Sequence, residues 1–506
     1  YTENPPAKVR PLPNVRIRLC PIGICIAHPF TSCPRSAYFY KNLQAWSKIT
    51  NQLYIWHYNT NFSHYQMPMP DFDELAAAIP AYKRHGVVGL FMQGAYPPGG
   101  GGEASELRAY VLARQLWDAS TDVSKTVDEF MEGVYGPAAR PMRQYYDLLH
   151  AEVRPPLNQH IWIFNVPKYS DAYLPRASAL FEEALRLAPE EATRRRVLKA
   201  RLPVEYYGLL RETEFGFRDG QYAPAGLPGL RLKAQDLFAR LRGFGIESIH
   251  EGRGLDLDEK RYAEMRSLAA VALENEWWRA DIVPDLNARV VRLIRKHGYT
   301  AVDLMRPFNP GEGSYPSVGG LTATAHGDHY ARAWDVRWRV ESESKDTLVL
   351  TGECDNRAGL RRSFTLTADG LKTVTELVNG GDTPLPAALQ VRAELTPGDI
   401  GRARMAFRRI SGEKANEPFM LADKEPTGKQ TWTGTARPDG VWTLNQGGGS
   451  DVNVRFVNAE ADRSYINWTA KAWPGVTFGL WSKEATLQPG ERLRIEAAYT
   501  GAALNP

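Results

Sequence analysis

Apolar and polar positions change their period three times along this chain. From Val15 to Trp117, short apolar runs alternate with stretches whose apolar residues recur every third or fourth position. Val15 to Cys20 (VRIRLC) alternates, continues as a broken apolar run to Ile26, and ends in the polar loop Ala27-His28-Pro29. Gln52 to Tyr58 (QLYIWHY) is a second β-type run and opens into Asn59, Asn61, His64 and Tyr65. Val87 to Met92, bounded by glycines, has the length and composition of a buried strand. Between these runs, Ala37 to Thr50 places Tyr40, Leu43, Trp46 and Ile49 at three-residue steps, which predicts an amphipathic helix. Asp71 to His85 predicts a second helix with Asp71 as its N-cap. Beyond Gln93-Gly94 the chain passes through Pro97-Pro98 and Gly99 to Gly102. Glu103 and Glu106 then open a helix with Leu107, Tyr110, Val111 and Leu116 on one face. Three successive βα units are the grammar of a parallel sheet or barrel.

A closed (β/α)8 barrel needs eight such units over roughly 250 residues. Residues 1–165 are therefore expected to be the C-terminal part of a (β/α)8 barrel, with about five units upstream. The start at Tyr1 and the proline-rich stretch to Pro13 agree with that expectation. Thr121 to Val153 continues helically with a break at Gly136-Pro137, and from Ser170 to Glu276 long amphipathic patterns dominate. Ala177 to Leu187, Thr193 to Leu209, Leu230 to Leu241 and Glu259 to Leu273 are the main helices. Breaks at Gly220 to Pro228 and Gly243 to Gly254 separate them, and the expectation is a helical domain over 166–279. After Trp277-Trp278 the period changes again. Runs such as Trp334 to Val340, Thr347 to Gly352, Arg361 to Leu366, Lys372 to Val378 and Leu493 to Tyr499, separated by turn residues, predict an antiparallel β-sandwich over 280–506. The fold class is thus multidomain: α/β, then all-α, then all-β.

Charge removes some functions. The chain carries 62 basic and 58 acidic side chains, a net +4 over 506 residues, too balanced for a nucleic-acid or anionic-membrane surface. No stretch reaches the roughly 18 apolar residues of a membrane span. Thirteen Trp and 23 Tyr allow sugar-stacking surfaces but also suit cores. Cys20, Cys25 and Cys33 cluster near His28 at intervals irregular for zinc, and Cys354 stands apart. They are expected to be buried or free thiols, with no metal, cofactor or disulfide assigned.

Candidate chemistry gathers where the three strands end, the position at which parallel α/β folds bind ligands. The first strand delivers His28 and the second delivers Trp56, His57, Tyr58, Asn61 and His64. The third delivers Gln93 and, past the glycine loop, Glu103, Glu106 and Arg108. Alternation sends Trp56 and Tyr58 one way and His57 the other. Glu103 and Glu106 are the candidate catalytic carboxylates, although acidic residues also favour helix N-termini for purely structural reasons. Arg108 pairing with either would be the structural use. The phosphate-loop Lys-Ser/Thr, the dinucleotide fingerprint and the Gly-x-Ser-x-Gly elbow are missing.

The motifs RPLPNVRIRLC, CIAHP, WSKITNQLYIWHYNTNFSHY, GVVGLFMQG, GGGEASELRAYVLARQLW and EFMEGVYGPAARPMRQYYDLL resemble those of a bacterial glycoside hydrolase domain long described as one of unknown function. That group includes glycoside hydrolase family 163, endo-β-N-acetylglucosaminidases acting on complex N-glycans. The resemblance implies a (β/α)8 barrel, usually with a small α/β domain before it and helices after it, and export to the periplasm or outside the cell. It also implies hydrolysis of β-linked N-acetylhexosamine glycans without a metal, with a glycan or oligosaccharide as the partner. Glu103 would then be the leading carboxylate and Glu106 the second; His28, Trp56, His57, Tyr58, Asn61, His64, Gln93 and Arg108 would line the substrate. His57 departs from the family pattern, in which Asp commonly stands there. The block Ile282 to Tyr330, including SYPSVGGL, resembles the opening of galactose-mutarotase-like sandwiches, which often accompany glycosidase barrels without catalysing. The alternatives are a non-catalytic carbohydrate-binding or scaffold protein and an α-glucuronidase-like exo-glycosidase.

Overall fold

The computed structural model describes residues 4–96, 101–164, 166–218, 221–297, 300–306, 319–325, 336–353, 358–396, 402–419, 427–446, 451–469 and 475–501. Pro97 to Gly100 of the glycine loop, Ser314 to Val318 of the SYPSVGGL motif, Trp334-Asp335 and Cys354 lie outside the described residues. The chain forms two compact units, residues 1–213 with 226–265, and residues 214–225 with 266–506.

The first unit is built on three parallel strands, β1 (Ile17–Leu19), β2 (Leu53–Tyr58) and β3 (Val87–Gln93), in sheet order β1-β2-β3. Ile17 lies opposite Leu53, Trp56 opposite Phe91, and Tyr58 opposite Gln93. Helices α1 (Ala37–Ser47) and α2 (Phe72–Arg84) are the crossovers. Their apolar residues Phe39, Leu43, Trp46, Ala78, Ala81 and Tyr82 share a core with Leu19, Leu53 and Ile55, so they cover one face of the sheet. The three βα units read from the sequence are present, but among the described residues no closed barrel forms; the sheet has three strands. Asp71 occupies the N-cap position of α2 without capping, because its carboxylate is bound by Arg108 instead. The first-turn N–H of Phe72 donates to His150 Nε2 at 3.2 Å, which supplies part of the missing cap.

Among the described residues, seven further α-helices follow: α3 (Ser105–Trp117), α4 (Val123–Tyr135), α5 (Ala139–Ala151), α6 (Tyr173–Leu187), α7 (Glu191–Glu212), α8 (Leu227–Gly243) and α9 (Leu255–Ala263). Gly136, at φ +49, makes the turn between α4 and α5. Leu107, Val111, Tyr145, Leu149, Phe181, Tyr206 and Phe238 from these helices pack in one core with Phe62, Tyr65 and Met67 of the segment after β2. The helices expected as a separate domain therefore share their core with the end of the parallel sheet.

Two local readings differ from expectation. The proposed helix over Glu259 to Leu273 stops at Ala263, and its tail is the strand Val271–Glu274, since a short apolar run such as AAVAL fits either period. The break at Gly220 to Pro228 holds part of a hairpin, β4 (Phe215–Arg218) with β5 (Gln221–Pro224).

The second unit is the antiparallel sandwich. Among the described residues, one nine-stranded sheet runs from Thr427–Thr433 through Gly475–Trp481, Leu389–Leu395 and Arg289–His297 to Val271–Glu274. The other runs from Arg337–Glu343 through Gly370–Asn379 and Arg492–Gly501 to Lys414–Pro418. Alternate residues of both, among them Leu293, Leu350, Phe364, Trp442 and Phe478, meet in a single core. Among the described residues no helix is long and apolar enough to cross a membrane.

Candidate functional site

The period of two along β2 divides its side chains between two environments. Leu53, Ile55 and His57 are buried under the helices, whereas Tyr54, Trp56 and Tyr58 are only partly covered on the opposite face. Phe91 of β3 stands beside Trp56, with ring centroids 5.0 Å apart, and remains 52% exposed. Gly89 is required here, because a Cβ would lie 2.2 Å from the Tyr54 ring. Trp56 stacks with Tyr58 at 6.4 Å and 23°, and its indole N–H donates to Gln93 Oε1. The line of rings continues from Tyr58 to Phe62 at 5.8 Å, Phe62 to Phe164 at 5.9 Å and Phe164 to Trp162 at 4.7 Å. A branch runs from Phe62 to Tyr65 at 6.3 Å and on to the exposed Tyr96 at 6.4 Å. Arg18 lies 5.6 Å over Trp56 and Arg16 lies 5.1 Å over Tyr54. Phe62 and Tyr65 are buried, but Phe91, Trp56 and Tyr58 form a partly exposed aromatic patch of the kind that meets a ligand or partner.

Polar groups collect at the carboxyl end of this face. Asn59 N–H donates to the Gln93 carbonyl at 2.7 Å. Asn59 Oδ1 and the Tyr65 hydroxyl are buried and have no partner among the described residues. The segment around Ile249 runs alongside, through Tyr65 N–H to the Ile249 carbonyl at 2.7 Å and Glu251 N–H to the Phe62 carbonyl at 3.0 Å. It brings the exposed carboxylate of Glu251 within electrostatic reach of both the Tyr58 and Tyr65 hydroxyls. Burial first, then Cys20 and, after it, Glu251 push the Tyr58 hydroxyl up to about 12; burial and then Glu251 push the Tyr65 hydroxyl well above the usual tyrosine range. Glu251 was not among the residues expected from the sequence. It lies in a loop before α9, nearly two hundred positions after β2, and no local pattern links the two.

Several expected residues are placed elsewhere. Glu103 is 4% exposed, with Oε2 2.8 Å from Arg108 Nη2, and it also accepts from the Met69 N–H. Arg108 binds Asp71 as well, with Nε 2.8 Å from Oδ2 and Nη2 3.1 Å from Oδ1. Burial pushes the Glu103 carboxyl up to about 7, Arg108 opposes this, and the second carboxylate, Asp71, adds to it. Two buried carboxylates share one guanidinium, so a proton is taken up near neutrality. This triad faces the helical core, and Glu103 does not open on the aromatic face. Glu106 points to the surface, paired with Lys199 of α7; burial pushes its carboxyl up, but the Lys199 and Ser105 hydrogen bonds win and leave it lowered. It is a surface ion pair.

His57 is 1% exposed, with Nδ1 2.9 Å from the Tyr82 hydroxyl and Nε2 3.2 Å from the Glu74 carboxylate, so both ring nitrogens are engaged beneath α2. His64 is likewise buried, Nδ1 2.7 Å from the Tyr206 hydroxyl of α7. Asn61 Oδ1 accepts from the Ser63 N–H at 3.1 Å and shapes the turn there. Of the expected residues, the structure brings together Trp56, Tyr58 and Gln93 on one face. It sends His57, His64, Asn61, Glu103 and Arg108 into the scaffold and Glu106 to a surface ion pair.

His28 belongs to a different cluster. Its Nδ1 lies 3.3 Å from Cys25 Sγ, and its Nε2–H donates to the Val153 carbonyl at 2.7 Å. His160, in the loop after α5, places Nδ1 3.4 Å from Cys25 Sγ and 3.5 Å from Cys33 Sγ. Burial pushes the Cys25 thiol up, while hydrogen bonds from Cys25 and then His160 lower the Cys33 thiol against its own burial.

Residues 1–147 match the model of a family described as a domain of unknown function, DUF4838. No curated protein matches the chain. Among solved structures, the chain is similar to a galactose mutarotase-like protein from Lactobacillus casei ATCC 334, at 12% identity and a TM-score of 0.38, over 46% of this chain and 100% of that one. A galactose mutarotase-like protein from Clostridium acetobutylicum aligns at 13% identity and a TM-score of 0.36, over 46% and 95%. A TPR-domain containing protein from Parabacteroides distasonis ATCC 8503 aligns at 13% identity and a TM-score of 0.38, over 47% and 48%.

Proposed function

We propose that the first unit recognises a glycan along the aromatic face of its parallel sheet. The observation that carries this reading is the line of partly exposed rings, Phe91, Trp56 and Tyr58, ending at Gln93, Asn59, Tyr65 and Glu251. The CH faces of a pyranose pack on such rings, and its hydroxyls need donors and acceptors in the same surface.

The narrower reading is hydrolysis of β-linked N-acetylhexosamine glycans outside the cytoplasm, favoured by the motif resemblance of the first 150 residues and by Glu251. Such a reaction needs a proton donor at the glycosidic oxygen and stabilisation of an oxocarbenium-like transition state. An acetamido carbonyl on the substrate can act as the nucleophile, with Tyr and Asn groups orienting it. Glu251, near Tyr58 and Tyr65, takes the carboxylate role expected of Glu103, whose oxygens are held by Arg108 and the Met69 N–H. In the non-catalytic alternative the same face binds and releases the glycan unchanged.

The test is a titration of the whole chain with β-linked N-acetylglucosamine oligosaccharides, followed by tryptophan fluorescence, with reducing ends assayed in parallel. Saturable quenching that Trp56→Ala abolishes is expected, and reducing-end release that Glu251→Gln abolishes supports hydrolysis. Binding without release selects the non-catalytic alternative. No binding to any β-linked glycan tested would refute recognition at this face.

A further inference from the structure

We infer that Cys25, His28, Cys33 and His160 form a structural zinc site. The four donor atoms, two sulfurs and two imidazole nitrogens, all lie within 4.8 Å of one another. Around a tetrahedral zinc, with Zn–S about 2.3 Å and Zn–N about 2.05 Å, a sulfur and a nitrogen stand about 3.5 Å apart. Three of the four sulfur–nitrogen pairs, at 3.3, 3.4 and 3.5 Å, have that spacing already, and the fourth is within 4.8 Å.

The surroundings fit a bound cation as well as the donors do. A metal-bound histidine commonly fixes its other ring nitrogen on a carbonyl or carboxylate. His28 does so: Nδ1 faces the sulfur, and Nε2–H donates to the Val153 carbonyl at 2.7 Å. Backbone N–H groups of Ala27 and Ile161 face the Cys25 sulfur, and that of Arg35 faces the Cys33 sulfur. Both cysteines are buried and both histidines partly so, and neither cysteine is in a disulfide. Two thiolates with two imidazoles are a zinc donor set, and four protein ligands leave no open position, which marks a structural rather than a catalytic site. Two thiolates balance the charge of the dication, so binding releases the thiol protons.

The site explains a long-range connection. Cys25, His28 and Cys33 follow β1, whereas His160 is 127 residues beyond Cys33, in the loop after α5. The two segments otherwise meet through Ile26 N–H to the Ile161 carbonyl at 3.0 Å and Trp162 Nε1–H to the Ile22 carbonyl at 2.6 Å. A metal would clamp the segment that carries Trp162 and Phe164, the far end of the line of rings. That consequence rests on the glycan reading; the site itself does not.

The experiment is elemental analysis of the whole chain, expressed with zinc and purified in reductant without a metal-affinity column. About one zinc per chain is expected, released when a mercurial titrates the thiols. Cobalt(II) added to the apo chain is expected to give tetrahedral d–d bands and thiolate charge transfer. Cys33→Ser and His160→Ala are expected to lose the metal, with Cys20→Ser as the control that keeps it. Should those variants fail to fold, the cobalt spectrum of the unaltered chain decides. Less than about 0.1 zinc per chain together with no tetrahedral cobalt spectrum would overturn the assignment. So would a Cys25–Cys33 disulfide in the reduced preparation, or full zinc retention in folded Cys33→Ser.

Discussion

Arg108 and Glu103 form a buried ion pair, Nη2 to Oε2 at 2.8 Å, and the same guanidinium holds Asp71 at the N-terminus of α2. One side chain of α3 thereby ties the end of the glycine loop to the start of the second crossover helix. Arg108→Leu would leave two buried carboxylates without a counter-charge. A loss of about 3–5 kcal/mol is expected in chemical denaturation, large enough to unfold the first unit at moderate temperature.

The same triad makes stability depend on pH. The Glu103 carboxyl rises from an ordinary value of 4.5 to about 7 in the folded chain, so the folded state binds the extra proton between those values. A raised carboxyl contributes stability that is fully present below 4.5 and lost as pH rises through 7. Glu103→Gln removes that titration. From pH 4.5 to 7.5 the melting temperature of the unaltered chain is expected to fall relative to that of Glu103→Gln. Thermal scans at matched ionic strength check this; parallel curves across the window would be inconsistent with a raised Glu103.

His57 serves the scaffold, bridging Tyr82 and Glu74 beneath α2. His57→Phe is expected to destabilise the first unit by roughly 1–3 kcal/mol, because Glu74 and Tyr82 lose a buried partner. Glycan affinity, measured well below the new melting temperature, is expected to stay within about twofold, a change of roughly 0.4 kcal/mol. A large loss of affinity at unchanged stability would instead put His57 on the ligand.

Trp56 is the opposite case. Half-covered, and stacked on Tyr58 with Phe91 at its edge, it is expected to be an anchor of the glycan. Trp56→Ala is expected to weaken binding at least about tenfold, about 1.4 kcal/mol, while the far-ultraviolet circular dichroism stays the same. An unchanged dissociation constant would count against the aromatic face.

The three βα units, both faces of β2 and the sandwich could be read from the sequence, because the periods of two and 3.6 persist over whole elements there. The separation of Trp56 and Tyr58 from His57 follows from alternation alone. Which polar strand-end residues meet a ligand could not be read in the same way. Glu103 looked catalytic because it follows a glycine loop, but its rotamer is set by Arg108 and Asp71, whose approach depends on how α2 and α3 pack. Cys25, His28 and Cys33 gave no metal spacing by themselves, since the fourth donor, His160, arrives from the loop after α5. Glu251 reaches Tyr65 for the same reason, through a segment hydrogen-bonded beside it far along the chain.

On this reading a glycan lies on the aromatic face of the parallel sheet. Hydrogen–deuterium exchange of the whole chain, with and without a β-linked N-acetylglucosamine oligosaccharide at saturating concentration, tests it most directly. Protection is expected in peptides covering 54–65, 89–96, 160–164 and 247–252. Protection confined to 266–506, or none at a concentration that saturates binding, would contradict it.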